Sequence, residues 1–393
     1  MTRASDTARL LGAGGTLNGA LSVDTISEKT SGSGVTIDSL NIKDSGISGQ
    51  QIGGRRNIVI NGAMNVAQRS TSVTGLGAAT GYFTCDRWQM AENDASAGRL
   101  TMTQTADGPN GVSANCLKLD CTTADTSIAA GEVLQILQKF EGQDLQSIGK
   151  GITGAKEITV SFYVKASAAF DFVCELYDLD NGRQISKLFS TTTGWVRHEF
   201  TFPADVDDGS SPFDDDNAAS LQLSFWLHGG STFTSGTLNT ASWANATNAN
   251  RAAGIDSFFS STDNNFFLTG VQLEVGSQAT PFEHRSFGEE LALCQRYYEF
   301  LFGGITNGLA NTSSTSQGSL CYRVDKRASP TTALVGTPFV NDGSQQSNIT
   351  GIAVYHNMTS GLLLQVTGTV NNNEAIMIYS SSSSIGISLD SEL

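Results

Sequence analysis

The sequence predicts an all-β protein: a thin β-rich amino-terminal segment, a central antiparallel jelly-roll sandwich, one connector helix and a carboxy-terminal β-sandwich head. Three observations carry that reading. Charged residues make up 16% of the 393-residue chain and Gly occurs 42 times, against roughly 25% charged residues in an ordinary globular protein. Runs alternating apolar and polar side chains recur from residue 57 onward, the period of strands that cover a core on one side. Helical periodicity occurs once. With 39% apolar residues the chain can build buried cores, so wholesale disorder is excluded.

Residues 1–54 are rich in Gly, Ser and Thr, with short alternating patches at 23–27 and 35–42. Such patches bury too little apolar area to offset chain entropy alone, so this segment is expected to fold by pairing with other copies or docking on a partner. Residues 55–285 form the central unit, with strands expected at 57–62, 100–104, 116–120, 132–137, 158–164, 172–178, 196–202, 221–227 and 266–275. Asn181-Gly182 supplies the positive φ angles of a type I′ turn, which predicts a hairpin between 172–178 and 196–202.

At 286–300 the period changes. Ser286 and Glu289 make a capping box, Glu289 and Glu290 lie where the helix dipole favours negative charge, and Leu291, Cys294 and Tyr298 share a stripe. This predicts a connector helix within 286–304, stopped by Gly303-Gly304. The carboxy-terminal head, 305–393, is expected to hold strands at 320–324, 352–355, 362–366, 376–379 and 385–389.

Net charge is 23 − 38 = −15 with no Lys/Arg cluster, which disfavours nucleic acid as a partner. No stretch approaches ~20 apolar residues and the start lacks a secretion-signal core, so the expectation is a soluble chain made in the cytoplasm, without membrane insertion. Six cysteines without a C-x-x-C pair read as buried reduced thiols. Neither G-x-S-x-G nor H-E-x-x-H is present, the four histidines are scattered, and the acidic run at 205–216 does not fit an EF-hand. No catalytic residue is assigned.

Sugar binding needs aromatic faces beside amides and charged donors. Trp243 stands in a Gly/Ser/Thr/Asn stretch with Asn245, Asn248 and Arg251 nearby. It is a candidate platform, the alternative being a ring tucked under the sandwich edge. Trp226 faces either side depending on register. Tyr322, Tyr355, His356 and Tyr379 fall on expected strands of the head; if the amino terminus is the anchor, this unit lies farthest out and is the favoured binding tip.

Residues 57–69 (NIVINGAMNVAQR), Asp86-Arg87-Trp88, 269–286 (TGVQLEVGSQATPFEHRS), 289–298 (EELALCQRYY) and 25–37 (TISEKTSGSGVTI) together resemble segments of bacteriophage tail fibre proteins. The resemblance implies a homotrimer located in the virion tail. Such a component attaches to tail or adaptor proteins through its amino terminus and meets a host surface polysaccharide or protein receptor, without catalysis. The central module is similar in layout to carbohydrate-binding jelly rolls, which hold a structural Ca²⁺ where their first and last strands meet. Asn61 and Glu274 are the counterparts here, although the usual early carboxylate is missing, and no other cofactor is implied. Two further readings stay open: an adaptor or collar protein without receptor contact, and a capsule depolymerase, for which no solenoid repeat is visible.

Overall fold

The alternating runs become the inward and outward faces of antiparallel sheets. The computed structural model describes residues 55–93, 96–206 and 211–393 with their side chains and, within the first 54, the backbone of 35–37, 40–43, 46–47 and 50–51. The chain divides into two compact units, Met1–Ile52 and Gly53–Leu393.

In the first unit, Val35–Ile37, Leu40–Lys43, Gly46–Ile47 and Gln50–Gln51 pair in chain order. The single run expected at 35–42 is thus a hairpin, with Val35 opposite Ile42. The patch at 23–27 and most of the segment assigned to attachment and trimerisation lie outside the described residues.

In the second unit two sheets face each other. The front sheet runs Ala244–Asn245, Arg183–Ser190, Asp171–Asp178, Ala219–Gly229, Val133–Glu141, Gln89–Asn93, Gly81–Tyr82. The back sheet runs Val196–Phe202, Ile158–Ala166, Asn265–Val275, Cys116–Thr123, Arg99–Thr105, Ser72–Leu76. Leu221, Leu223 and Phe225 from the front meet Val160, Phe162 and Val164 from the back in one apolar core. Phe162 sits edge-on to Phe225 at 4.8 Å and to Phe189 at 5.1 Å. Each such side chain contributes about 1.5–3 kcal/mol by leaving water.

Four expectations are corrected. The segment 57–62 is not a strand, because side chains rather than a neighbouring strand take most of its backbone groups. Asn57 Oδ1 accepts from the backbone N–H groups of Val59 and Leu273, and Gln138 bonds both polar atoms of the Ile60 backbone. The hairpin partner of Asp171–Asp178 is Arg183–Ser190, whereas Val196–Phe202 pairs with Ile158–Ala166 in the other sheet. Asp178 lies opposite Arg183, so four residues form the loop, and Gly182 takes a positive φ of 62° there while Asn181 does not. Asp178 Oδ1 satisfies the amides of Asp180 and Asn181, which removes the need for a type I′ turn.

The helix has the expected Ser286–Glu289 capping box but spans Phe287–Gln295, shorter than 286–300. Arg296 and Tyr297 both bind the buried Glu141 carboxylate, at 2.6–2.7 Å and 2.5 Å, and the chain leaves the helix as the strand Tyr298–Leu301. Finally, five cysteines are buried as expected, but Cys321 is exposed.

Tyr298–Leu301, Gly386–Asp390 and Thr331–Val335 form a three-stranded sheet. Its Leu301, Ile387 and Leu389 share a second core with Leu320, Val340, Leu364, Val366, Ile376 and Ile378 of a seven-stranded sheet, so the carboxy-terminal region is itself a small sandwich. Buried charge joins it to the larger one. Arg87 pairs with Glu392, and Arg69 reaches Asp390 at 3.1 Å and Glu392 at 3.4 Å.

Candidate functional site

Strand period decides what the front sheet presents outward. Along Asp171–Asp178, Phe172, Cys174 and Leu176 enter the core, while Val173, Glu175 and Tyr177 take the opposite face. On Ala219–Gly229, Leu221, Leu223 and Phe225 point inward and Trp226 joins Val173 outside. The chain between 230 and 256 folds over part of this outer face, packing Phe233, Leu238 and Ile255 on Val133, Val173, Trp226 and Ala252. What it leaves uncovered is an open groove of about 340 Å³.

Its walls combine amides, rings and charges. Gln89, Asn93, Gln135 and Gln222 supply amide donors and acceptors, Tyr177 and Phe233 supply ring surface, and Glu92, Lys139 and Arg251 supply charge. At one end the Arg251 guanidinium grips the fully buried Glu175 through Nε and Nη2, each at 2.8 Å, and Trp226 Nε1 donates to the same carboxylate at 2.8 Å. The guanidinium also lies 4.4 Å from the Tyr177 ring centroid and 5.1 Å from that of Trp226. Burial opposes the Arg251 charge, but Glu175 and its hydrogen bonds raise the pKa above its ordinary value. Trp226, at 1% exposure, therefore orients Glu175 and offers no open ring face. Burial, then the nearby Arg87 charge, lowers the Lys139 pKa.

The residues singled out from the sequence do not converge. Trp243 is 8% exposed, packs in the main core and donates Nε1 to Pro203 O at 2.9 Å; it is the tucked ring, not a platform. Tyr322 lies just past the strand Thr315–Cys321 rather than within a strand at 320–324. It is buried, bonds Asn357 Oδ1 at 3.2 Å, and burial pushes its hydroxyl up to about 12. Tyr355 and His356 are exposed on the edge strand Gly351–Asn357, at a register shift. Tyr379 belongs to Ala375–Tyr379, four strand positions away in the same sheet, where its ring packs on Phe339 and its hydroxyl meets Gln346.

Asn61 and Glu274 serve separate sets of partners. Asn61 binds Val66 and the carbonyl of Asp86, while Glu274 accepts from Gln272, the backbone N–H of Thr280 and the Thr280 hydroxyl. Among the described residues no group of three or more His, Cys, Asp or Glu side chains is placed to hold a metal ion. The motif blocks that include them interlock: Glu283 accepts the amides of Arg56 and Asn57, and Arg285 donates to the carbonyls of Asn57 and Val59.

Glu175, Tyr177, Gln222 and Gln135 were not singled out from the sequence. Their signal was the alternation itself, which sets Glu175 and Tyr177 against Cys174 and Leu176.

No protein-family model matches the chain, and no curated protein matches it. Among solved structures it is similar to the enzymatically active domain of tailspike protein 4 of bacteriophage CBA120, at 9% identity over 56% of this chain and 21% of that one, with a TM-score of 0.28. The matched stretch thus spans about a fifth of the tailspike chain. It is similar to a CBM4 structure, at 13% identity over 55% of this chain and 97% of that one, TM-score 0.28. It is also similar to TmCBM61 in complex with β-1,4-galactotriose, at 9% identity over 56% and 99% of the two chains, TM-score 0.28.

Proposed function

We propose that this chain is a bacteriophage tail component that adheres to a bacterial surface glycan through the outer groove of the front sheet, without catalysing a reaction on it. The observation that carries the reading is the groove's lining: four side-chain amides and a tyrosine ring on strands, and a guanidinium immobilised by Glu175 in the covering loop, the mixture that complements sugar hydroxyls and ring faces. A glycosidase needs two working carboxylates. Among the described residues Glu92 is the one carboxylate lining this groove, and the nearby Glu175 is fully buried and committed to Arg251 and Trp226.

Homotrimeric assembly, attachment to tail proteins through residues 1–54 and location in the virion belong to the same proposal and rest on the sequence resemblance. Three grooves per fibre would turn weak single contacts into durable adhesion through effective concentration. The test is retention of labelled protein on host cells and on their extracted surface polysaccharide. The wild-type chain is expected to bind and Tyr177→Ala to bind at least about tenfold more weakly, as losing a ring contact and its hydrogen bonds implies. Equal binding by both proteins overturns the assignment to this groove.

A further inference from the structure

We infer that the groove selects uncharged glycans, and that Glu175 sets this selectivity by neutralising Arg251. The inference rests on the adhesive reading above and goes further by naming the ligand class. The charges balance: of the groups lining the groove, Glu92 offsets Lys139, while Arg251 is offset by Glu175, which is fully buried behind it. Arg251 alone would be a strong anchor for a carboxylate or phosphate, because its fork matches those anions bidentately. That fork is already occupied by a carboxylate of the protein, with both bonds at 2.8 Å and Glu175 fully buried.

Nη1 of Arg251 has no protein acceptor among the described residues. It is a fixed N–H donor attached to a neutralised pair, suited to a hydroxyl or ring oxygen. Lys139 points the same way: its Nζ donates to the Leu393 carbonyl at 3.4 Å, and burial lowers its affinity for a proton. A net charge of −15 adds repulsion of any polyanion at long range.

The experiment is native affinity electrophoresis of the full chain through gels containing a neutral β-glucan, a neutral galactan or polygalacturonate. It is run from about 0.1 M to about 1 M NaCl, across which the Debye length falls from about 10 to about 3 Å. Retardation by a neutral polymer, with less than about a twofold change across that range, supports the inference. Glu175→Gln leaves Arg251 without its counter-charge, so polygalacturonate should then retard the variant roughly five- to tenfold more strongly than the wild type, a change of about 1–1.4 kcal/mol. If Glu175→Gln does not fold, the wild-type comparison decides the matter. Preferential retardation of the wild type by polygalacturonate, weakening with salt, overturns the selectivity but leaves the adhesive reading standing. Retardation by no polymer, together with failure to bind host cells, overturns both.

Discussion

The side chain of Gln138 completes the backbone of Ile60: Oε1 accepts the Ile60 N–H at 2.8 Å and Nε2 donates to the Ile60 carbonyl at 2.8 Å. A glutamine on the front sheet thus does for the entering chain what a neighbouring strand would do, and both partners are buried. Gln138→Leu keeps similar volume but orphans a buried donor and a buried acceptor, which costs about 2–4 kcal/mol. Urea denaturation should show that loss, and a change under about 0.5 kcal/mol would mean water or relaxation replaces both bonds.

Asp86 gives the fold a pH dependence. Burial raises its pKa to about 6, against opposing contributions from Arg69 and Gln68. Since the folded value exceeds the unfolded one of 3.8, the folded state takes up a proton first. The resulting stability is fully present below the unfolded pKa and is lost as pH rises through about 6. Glu141 acts in the opposite sense: despite its burial, bonds to Arg296 and Tyr297 hold its pKa below 4.5, so its contribution is lost only at lower pH. Thermal unfolding should therefore move to higher temperature between pH 7.5 and pH 5, by an amount equivalent to about 1–3 kcal/mol. Asp86→Asn should flatten that rise; an equally steep rise in the variant would assign it to another group.

Arg87 is 1% exposed, paired with Glu392, and lies 3.5 Å from the Tyr297 ring centroid. Glu392→Gln leaves a buried guanidinium without its counter-charge, which costs about 3–5 kcal/mol. Calorimetry should show a correspondingly lower transition. An unchanged transition would mean Arg87 is held by Tyr297 and the Lys139 carbonyl alone.

Thiol reactivity is equally specific. Burial raises the pKa of Cys85, Cys116, Cys121, Cys174 and Cys294, while Cys321 faces solvent. Native protein should take up one equivalent of iodoacetamide at Cys321, and denatured protein all six. Rapid modification of a second cysteine in the native state contradicts the packing described.

The all-β class and the sandwich strands were legible because half-buried strands write their faces into the sequence: 196–202 was bounded to the residue, and 158–164 and 266–275 nearly so. Pairing was not legible, because Arg183–Ser190 alternates weakly and an Asn-Gly pair cannot say which strand follows it. Local signals fixed the helix start through Ser286 and Glu289. Its end was set by a contact 155 residues away, Arg296 with Glu141. The groove was hidden for the same reason. Arg251 meets Glu175 and Trp226 only after three distant segments are brought onto one face, whereas Trp243 looked open in a loop that folds beneath the sandwich edge.

Hydrogen exchange of the full chain, with and without the host's surface polysaccharide, tests the central claim most directly. The account predicts added protection in peptides covering 89–93, 133–141, 171–178, 219–229 and 246–256, the strands and loop that build the groove. Protection confined to 351–379 would place the glycan on the carboxy-terminal sandwich and contradict it.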